Sequence, residues 1–190
     1  MHEDLTRWTV RLALAAYVTV IAQRIRTKSA IGVSTPVRSI PAALDSTAGE
    51  RIQRWLWTLG CLLSWAHVVS AFAFYHHWSH DDAYAHTARE TAAMAGIDWG
   101  GGIYFNYLFL LLWTFDVAWS WTFPAAYRAR PRIYLVFLDG YLAFMVFNAT
   151  VVFGRGAVRY LGIALTLCLV WLAISVQIRQ KRTTPSAEGE

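Results

Sequence analysis

Four stretches of this chain, Trp55 to Tyr75, Ile103 to Phe123, Ile133 to Phe153 and Tyr160 to Ile178, are almost wholly apolar. Each is close to the roughly 20 residues that a helix needs to cross the hydrocarbon core of a bilayer. Inside lipid every backbone N–H and C=O must find its partner within the segment, so runs of this kind fold as helices. A fifth run, from about Trp8 to Ile25, is interrupted by Arg11 near its start and by Gln23 and Arg24 near its end. Arg11 can snorkel to the surface; the alternative for this run is an amphipathic helix lying in the interface. The expected fold class is all-α: a polytopic membrane helix bundle of about five transmembrane helices with a short extramembrane helix. It forms one domain over residues 1–182, and the polar tail, 183–190, is expected to be disordered.

Composition agrees. Hydrophobic residues make up 56% of the chain and charged residues 15%, against about 25% charged in an ordinary soluble domain. Ten Trp, nine Tyr and ten Phe suit a chain whose rings anchor at lipid–water boundaries. The net charge of +5 does not mark a nucleic-acid binder, because the basic residues are spread between apolar runs instead of sharing one polar face. Cys61 and Cys168 lie in apolar stretches without CxxC spacing, so neither a disulfide framework nor a zinc knuckle is indicated. Met1 to Arg7 carries Glu3 and Asp4 and lacks a basic leader, so it is not read as a removable signal peptide.

The basic residues set an expected orientation. Arg24, Arg26, Lys28, Arg38, Arg51 and Arg54 lie in or beside the linker 26–54; Arg128, Arg130 and Arg132 lie between spans three and four; Arg179, Lys181 and Arg182 follow span five. These regions share one side, read as the cytoplasm of a bacterial inner membrane, with the N-terminus outside and the C-terminus inside. The loop 76–102 has Arg89 alone against Asp81, Asp82, Glu90 and Asp98, and faces outward. Arg155 and Arg159 in the last turn are the exception. The linker from Thr27 to Gly49, with Pro36 and Pro41, is expected to have little regular structure.

The chemistry-bearing residues crowd the outward loop. Four of the six histidines fall between His76 and His86, in the run Tyr75-His76-His77-Trp78-Ser79-His80-Asp81-Asp82 and just beyond it. With no Gly or Pro from Cys61 to Ala95, span two either continues as a helix or restarts at Ser79. A restart would use Ser79 as N-cap three residues before Asp82, and Gly96 would end the new helix. A continuous helix would stack His76 over His80, His77 over Asp81, and Asp82 under His86 and Glu90. Two imidazoles at that spacing can share a divalent ion. His76, His80, Asp81, Asp82 and His86 are therefore candidate ligands for a transition metal such as zinc, copper or iron. The alternative is an interfacial belt of rings above a solvated acidic turn.

Two family patterns touch this stretch and neither extends. The histidine boxes of membrane desaturases and hydroxylases require more histidines than the six present. Asp82 and His86 are similar to a D-x3-H fragment in the third subunit of copper membrane monooxygenases, but Trp99 stands where that pattern has a further histidine. Neither function is carried over.

Polar residues inside spans form the second group: His67, Asp116, Asp139, Asn106 and Asn148. Ionisable residues in lipid are costly and default to functional hypotheses. Spans three and four are joined by a short turn, so Asp116 and Asp139 share one depth, as do Asn106 and Asn148. Two carboxylates at one depth cannot both stay charged without a cation, so at least one is expected to hold a proton. Asp139 and Asn148 lie nine residues apart, about half a turn in helical phase, so either the aspartates or the asparagines meet across the hairpin. For Asp116 the candidate partners are His67 and Ser64, and Asp139 is expected to be a boundary residue reaching toward the cytoplasmic arginine cluster.

Three function classes follow: a metal-binding or redox-linked membrane protein using the outer His/Asp cluster; a non-catalytic accessory or scaffold subunit packing against partner membrane subunits or a second copy; and a small proton-linked carrier centred on Asp116. In all three the lipid bilayer is the principal partner.

Overall fold

The computed structural model describes residues 2–31 and 40–183, and within them the chain is helical with no strand. The helices are α1 (His2–Ile31), α2 (Ile40–Phe74), α3 (His80–Ala95), α4 (Gly102–Thr122), α5 (Pro124–Arg128), α6 (Arg132–Phe147) and α7 (Ala157–Thr183), with a π-helical turn at Asn148–Val152 extending α6. Four segments are long and apolar enough to cross a membrane: Ala48–Phe74, Gly102–Thr122, Arg132–Val152 and Ala157–Arg179.

Helix α1 is not one of those four, so by length and composition the described residues carry four spans where about five were expected. Yet α1 does not lie across the end of the bundle. His67 Nδ1 of α2 meets the Thr6 carbonyl at 3.0 Å, Ala16 sits against Gly60, and Tyr17 packs on Trp57 with ring centroids 5.9 Å apart. Rising numbers in α1 meet falling numbers in α2, so the two are antiparallel neighbours along most of their length. The linker expectation is also corrected. Residues 26–31 belong to α1 and 40–54 to α2, whose first turn accommodates Pro41 because an N–H there has no partner to lose. Residues 32–39 and the expected tail beyond Thr183 lie outside the described residues.

Apolar burial contributes little to helix association when the solvent is itself apolar, so close packing and polar links must carry it. The packing matches this. Ala16 and Gly60 let α1 and α2 approach closely, and Gly162 of α7 sits against Thr150 of the π-helical turn. The central cluster is small: Tyr17, Val20, Trp57, Cys61, Trp113, Leu138 and Leu142. Many large side chains point outward, among them Leu111, Phe115, Ile133, Val136 and Trp171, as a lipid-facing surface requires.

The two ends differ. Pro124 follows the end of α4, α5 makes a single turn, and Pro131 caps α6, so the α4–α6 hairpin closes at an arginine-rich end. At the opposite, histidine-rich rim, α3 lies over the start of α4. There Arg155 reaches back to both Glu90 oxygens at 2.8 and 3.1 Å, while Arg159 donates to the carbonyls of Gly154 and Val152. The two exceptional arginines are thus absorbed by a carboxylate and by a helix end.

Gly60 gives a direct check on the packing. A Cβ there would stand 2.8 Å from the Trp113 ring, whereas one at Gly140 would meet nothing within 4 Å. Gly60→Val is expected to lower stability by about 1–3 kcal/mol through overpacking. Gly140→Ala is expected to raise it by about 0.5–1 kcal/mol, because a mid-helix glycine is entropically costly. Thermal melts of the detergent-solubilised protein read both.

Candidate functional site

The described residues bring polar groups together in two places, a buried cluster near the arginine-rich end and a cleft at the histidine-rich rim.

Asp116 is the centre of the first and is completely buried. Four donors converge on its carboxylate: Trp57 Nε1 at 2.9 Å and Tyr127 OH at 2.9 Å on Oδ2, and Arg130 at 2.8 Å and Tyr134 OH at 3.1 Å on Oδ1. Arg24 from α1 donates to Asp139 at 2.8 Å and lies 3.9 Å from Asp116. Two carboxylates therefore face two guanidiniums. The rings complete the enclosure, with Arg24 4.3 Å above Trp57 and Arg130 3.3 Å above Tyr127. In the turn outside the spans, burial and the adjacent charge of Asp116 push the Tyr127 phenol up to about 12, so it donates at any physiological pH.

This arrangement settles the phase question: the two aspartates meet at one depth, bridged by Arg24. The asparagines do not. Asn148 donates to the Phe144 carbonyl of its own helix and Asn106 is exposed, while Tyr141 OH crosses to the Phe105 carbonyl. The expected partners also change. His67 bonds to α1 and Ser64 to the Gly60 carbonyl, so neither reaches Asp116. Asp139 reaches one arginine of the basic cluster, Arg24, at 2.8 Å. The condition attached to a held proton, two carboxylates with no cation beside them, is not met, because Arg24 and Arg130 stand against them.

Residue reasoning missed Arg24, Arg130, Trp57, Tyr127 and Tyr134 as the ligands of Asp116. One signal was available. Arg24 breaks an otherwise apolar run, and an arginine there implies an internal anion at its depth.

At the rim, α2 ends at Phe74 and the chain turns through His77 and Trp78, both with positive φ (48° and 61°). Left-handed backbone at non-glycine residues costs roughly 1–3 kcal/mol each and clusters at functional sites. The turn is held by the N–H groups of His76 and Trp78, which donate to the Ala71 and Phe72 carbonyls. Ser79 then caps α3 by accepting the Asp82 N–H at 3.2 Å, and Gly96 closes that helix at φ 72°. The restart at Ser79, rather than a continuous helix, is what forms.

The break rearranges the candidate ligands. His80 no longer stacks on His76; its Nδ1 lies 3.0 Å from Tyr107 OH, between the Tyr104 and Tyr107 rings. His76 instead meets His86 across the turn, with ring centroids 5.4 Å apart. Asp82 precedes His86 by one turn of α3, so the two share a face. Asp81 stands exposed in the first turn. His76, His77, Asp82, His86, Tyr75 and Arg89 line an open cleft of about 550 Å³. Burial, and then the neighbouring His86, hold the His76 imidazole below the ordinary histidine value, while Asp82 pulls the other way. Among the described residues no group of three or more His, Cys, Asp or Glu is already set to hold a metal ion.

Comparison with known proteins found no matching family model, no matching curated protein and no matching solved structure.

The buried cluster makes a definite prediction. Asp116→Asn leaves two guanidiniums facing one carboxylate in a dry site, and breaking a buried pair costs about 3–5 kcal/mol. Chemical denaturation in detergent should show a loss of that size. Wild-type stability in the variant would mean that Asp116 is neutral in the native protein.

Proposed function

We propose that this is an integral membrane protein whose working site is the histidine-rich rim, where His76 and His86 take a divalent transition metal, zinc, copper or iron. Asp82 supplies the third ligand. The observation that carries this reading is the approach of the two imidazoles to 5.4 Å between ring centroids across a strained turn, with Asp82 on the face of α3 that His86 occupies. Two imidazoles and one carboxylate form a ligand set suited to these metals that leaves positions open for water or substrate. The low proton affinity of His76 supports it as well, since only a neutral imidazole binds metal. Closing the set takes rotation of the half-buried His76 and the exposed Asp82 and His86 side chains, which the open cleft allows. His80 lies outside it and orients α3 through Tyr107; Asp81 faces solvent. A redox-linked role follows if the ion is copper or iron.

The same proposal places this rim outside a bacterial inner membrane, with the N-terminus outside and the C-terminus in the cytoplasm. Its support is the clustering of basic residues at the other end, together with the neutralisation of Arg155 by Glu90.

A second reading, an accessory or scaffold subunit, is favoured by α7. Almost none of its membrane segment is buried, and Leu161, Leu167, Val170 and Trp171 face outward. The proton-carrier reading centred on Asp116 loses ground, because four donors, Arg130 among them, with Arg24 beside them leave that carboxylate neither room nor reason to exchange a proton.

Elemental analysis of purified protein after incubation with zinc, copper or iron tests the first reading. We expect one equivalent of one of these metals, lost in His76→Ala/His86→Ala and kept in His80→Ala. Metal-free wild type, or equal loading of the double variant, would contradict it.

A further inference from the structure

At the arginine-rich end most guanidiniums are engaged within the protein. Arg24 and Arg130 hold the aspartates, Arg54 lies 5.2 Å from the Trp121 ring and Arg128 meets Glu50 at 3.8 Å. Arg51 of α2 differs. It is exposed and has no hydrogen-bond or ion-pair partner among the described residues. It borders a shallow groove of about 230 Å³ lined with Ala48, Ile52 and Trp55.

The groove continues into a stripe. Ile52, Trp55, Leu59 and Leu62 follow one another at spacings of three and four, which places them on one face of α2, and all are about half exposed or more. Trp55 is steadied by an edge contact with Trp121 at 4.8 Å. One cation, an indole at its foot and an apolar track running into the membrane thus stand in line.

We propose that this line is a binding site for one anionic phospholipid. The phosphate pairs with the Arg51 guanidinium, which matches phosphate oxygens in shape as well as charge. The glycerol region lies beside Trp55, and an acyl chain follows Ile52, Leu59 and Leu62. Charge complementarity selects the occupant. The track is apolar and its single polar group is cationic and lies at headgroup depth, where anionic lipids attract basic side chains. A partner helix would leave the Arg51 charge without an anion, and free phosphate would leave the stripe uncovered. The site is independent of the metal reading, which concerns the opposite end of the bundle.

Native mass spectrometry of the full chain, exchanged into mixed phosphatidylglycerol and phosphatidylcholine, tests this. One phosphatidylglycerol should be retained in preference to phosphatidylcholine. Arg51→Gln should reduce that retention about tenfold and Trp55→Ala should weaken it, while Arg51→Lys keeps part of it. Arg132→Gln removes an exposed arginine elsewhere on this end and should leave retention unchanged. Equal retention of the two lipids by the native protein, which needs no variant, would overturn the proposal. So would unchanged retention in Arg51→Gln, an equal fall in Arg132→Gln, or full displacement of the lipid by millimolar inorganic phosphate.

Discussion

A carboxylate that neither water nor a headgroup can reach must be neutralised from within the protein, and Asp116 is such a group. An isolated ion at that depth costs of order 20 kcal/mol in the idealised limit. The chain meets this cost by drawing donors to Asp116 of α4 from three other helices, Trp57 from α2, Tyr127 from α5 and Tyr134 from α6, with Arg130 just beyond α5, while Arg24 from α1 stands 3.9 Å away and donates to Asp139 of α6. Apolar burial supplies little of the force that holds helices together in lipid, so this saturated cluster fixes which helix neighbours which. It also explains why α1, too polar to qualify as a span on composition, runs beside α2: its least apolar end carries the cation that the aspartates require.

The other end is organised on a different principle. Strain takes the place of saturation. Two consecutive left-handed residues, His77 and Trp78, reverse the chain so that α3 folds over α4, and the Ser79 cap, the His80–Tyr107 bond and the Glu90–Arg155 pair hold it there. The consequence is that side chains separated by ten positions, His76 and His86, face each other across an open cleft. At one end the buried carboxylates are enclosed and paired, and at the other an open cleft is lined by histidines.

Much of the fold was legible in the sequence because its governing rule is local. Length and apolarity mark a span without reference to anything else, and the Ser79 and Gly96 signals for α3 depend on neighbours three or four residues away. The matching depth of Asp116 and Asp139 was also legible, since a short hairpin turn fixes the register of two helices. Partner identity was not legible. Whether Asp116 meets His67 or Arg130 depends on the rotation of α4 and the placement of α1, and those follow from packing across the whole bundle. Which histidines meet was not legible for a similar reason. His76 with His80 follows from uninterrupted helix, and only the backbone reversal at residues 77–78, which neither Gly nor Pro announces, brings His86 into its place.

The central claim is that Asp116 is ionised within the membrane-embedded bundle, held by guanidiniums and not by a proton. Infrared spectra of protein carrying isotope-labelled aspartate read this directly, because a protonated carboxyl in a dry site gives a carbonyl band well separated from the carboxylate stretches. At neutral pH the account predicts a carboxylate signal that disappears in Asp116→Asn and no protonated-acid band assignable to that residue. A protonated-acid band that vanishes in Asp116→Asn would contradict it.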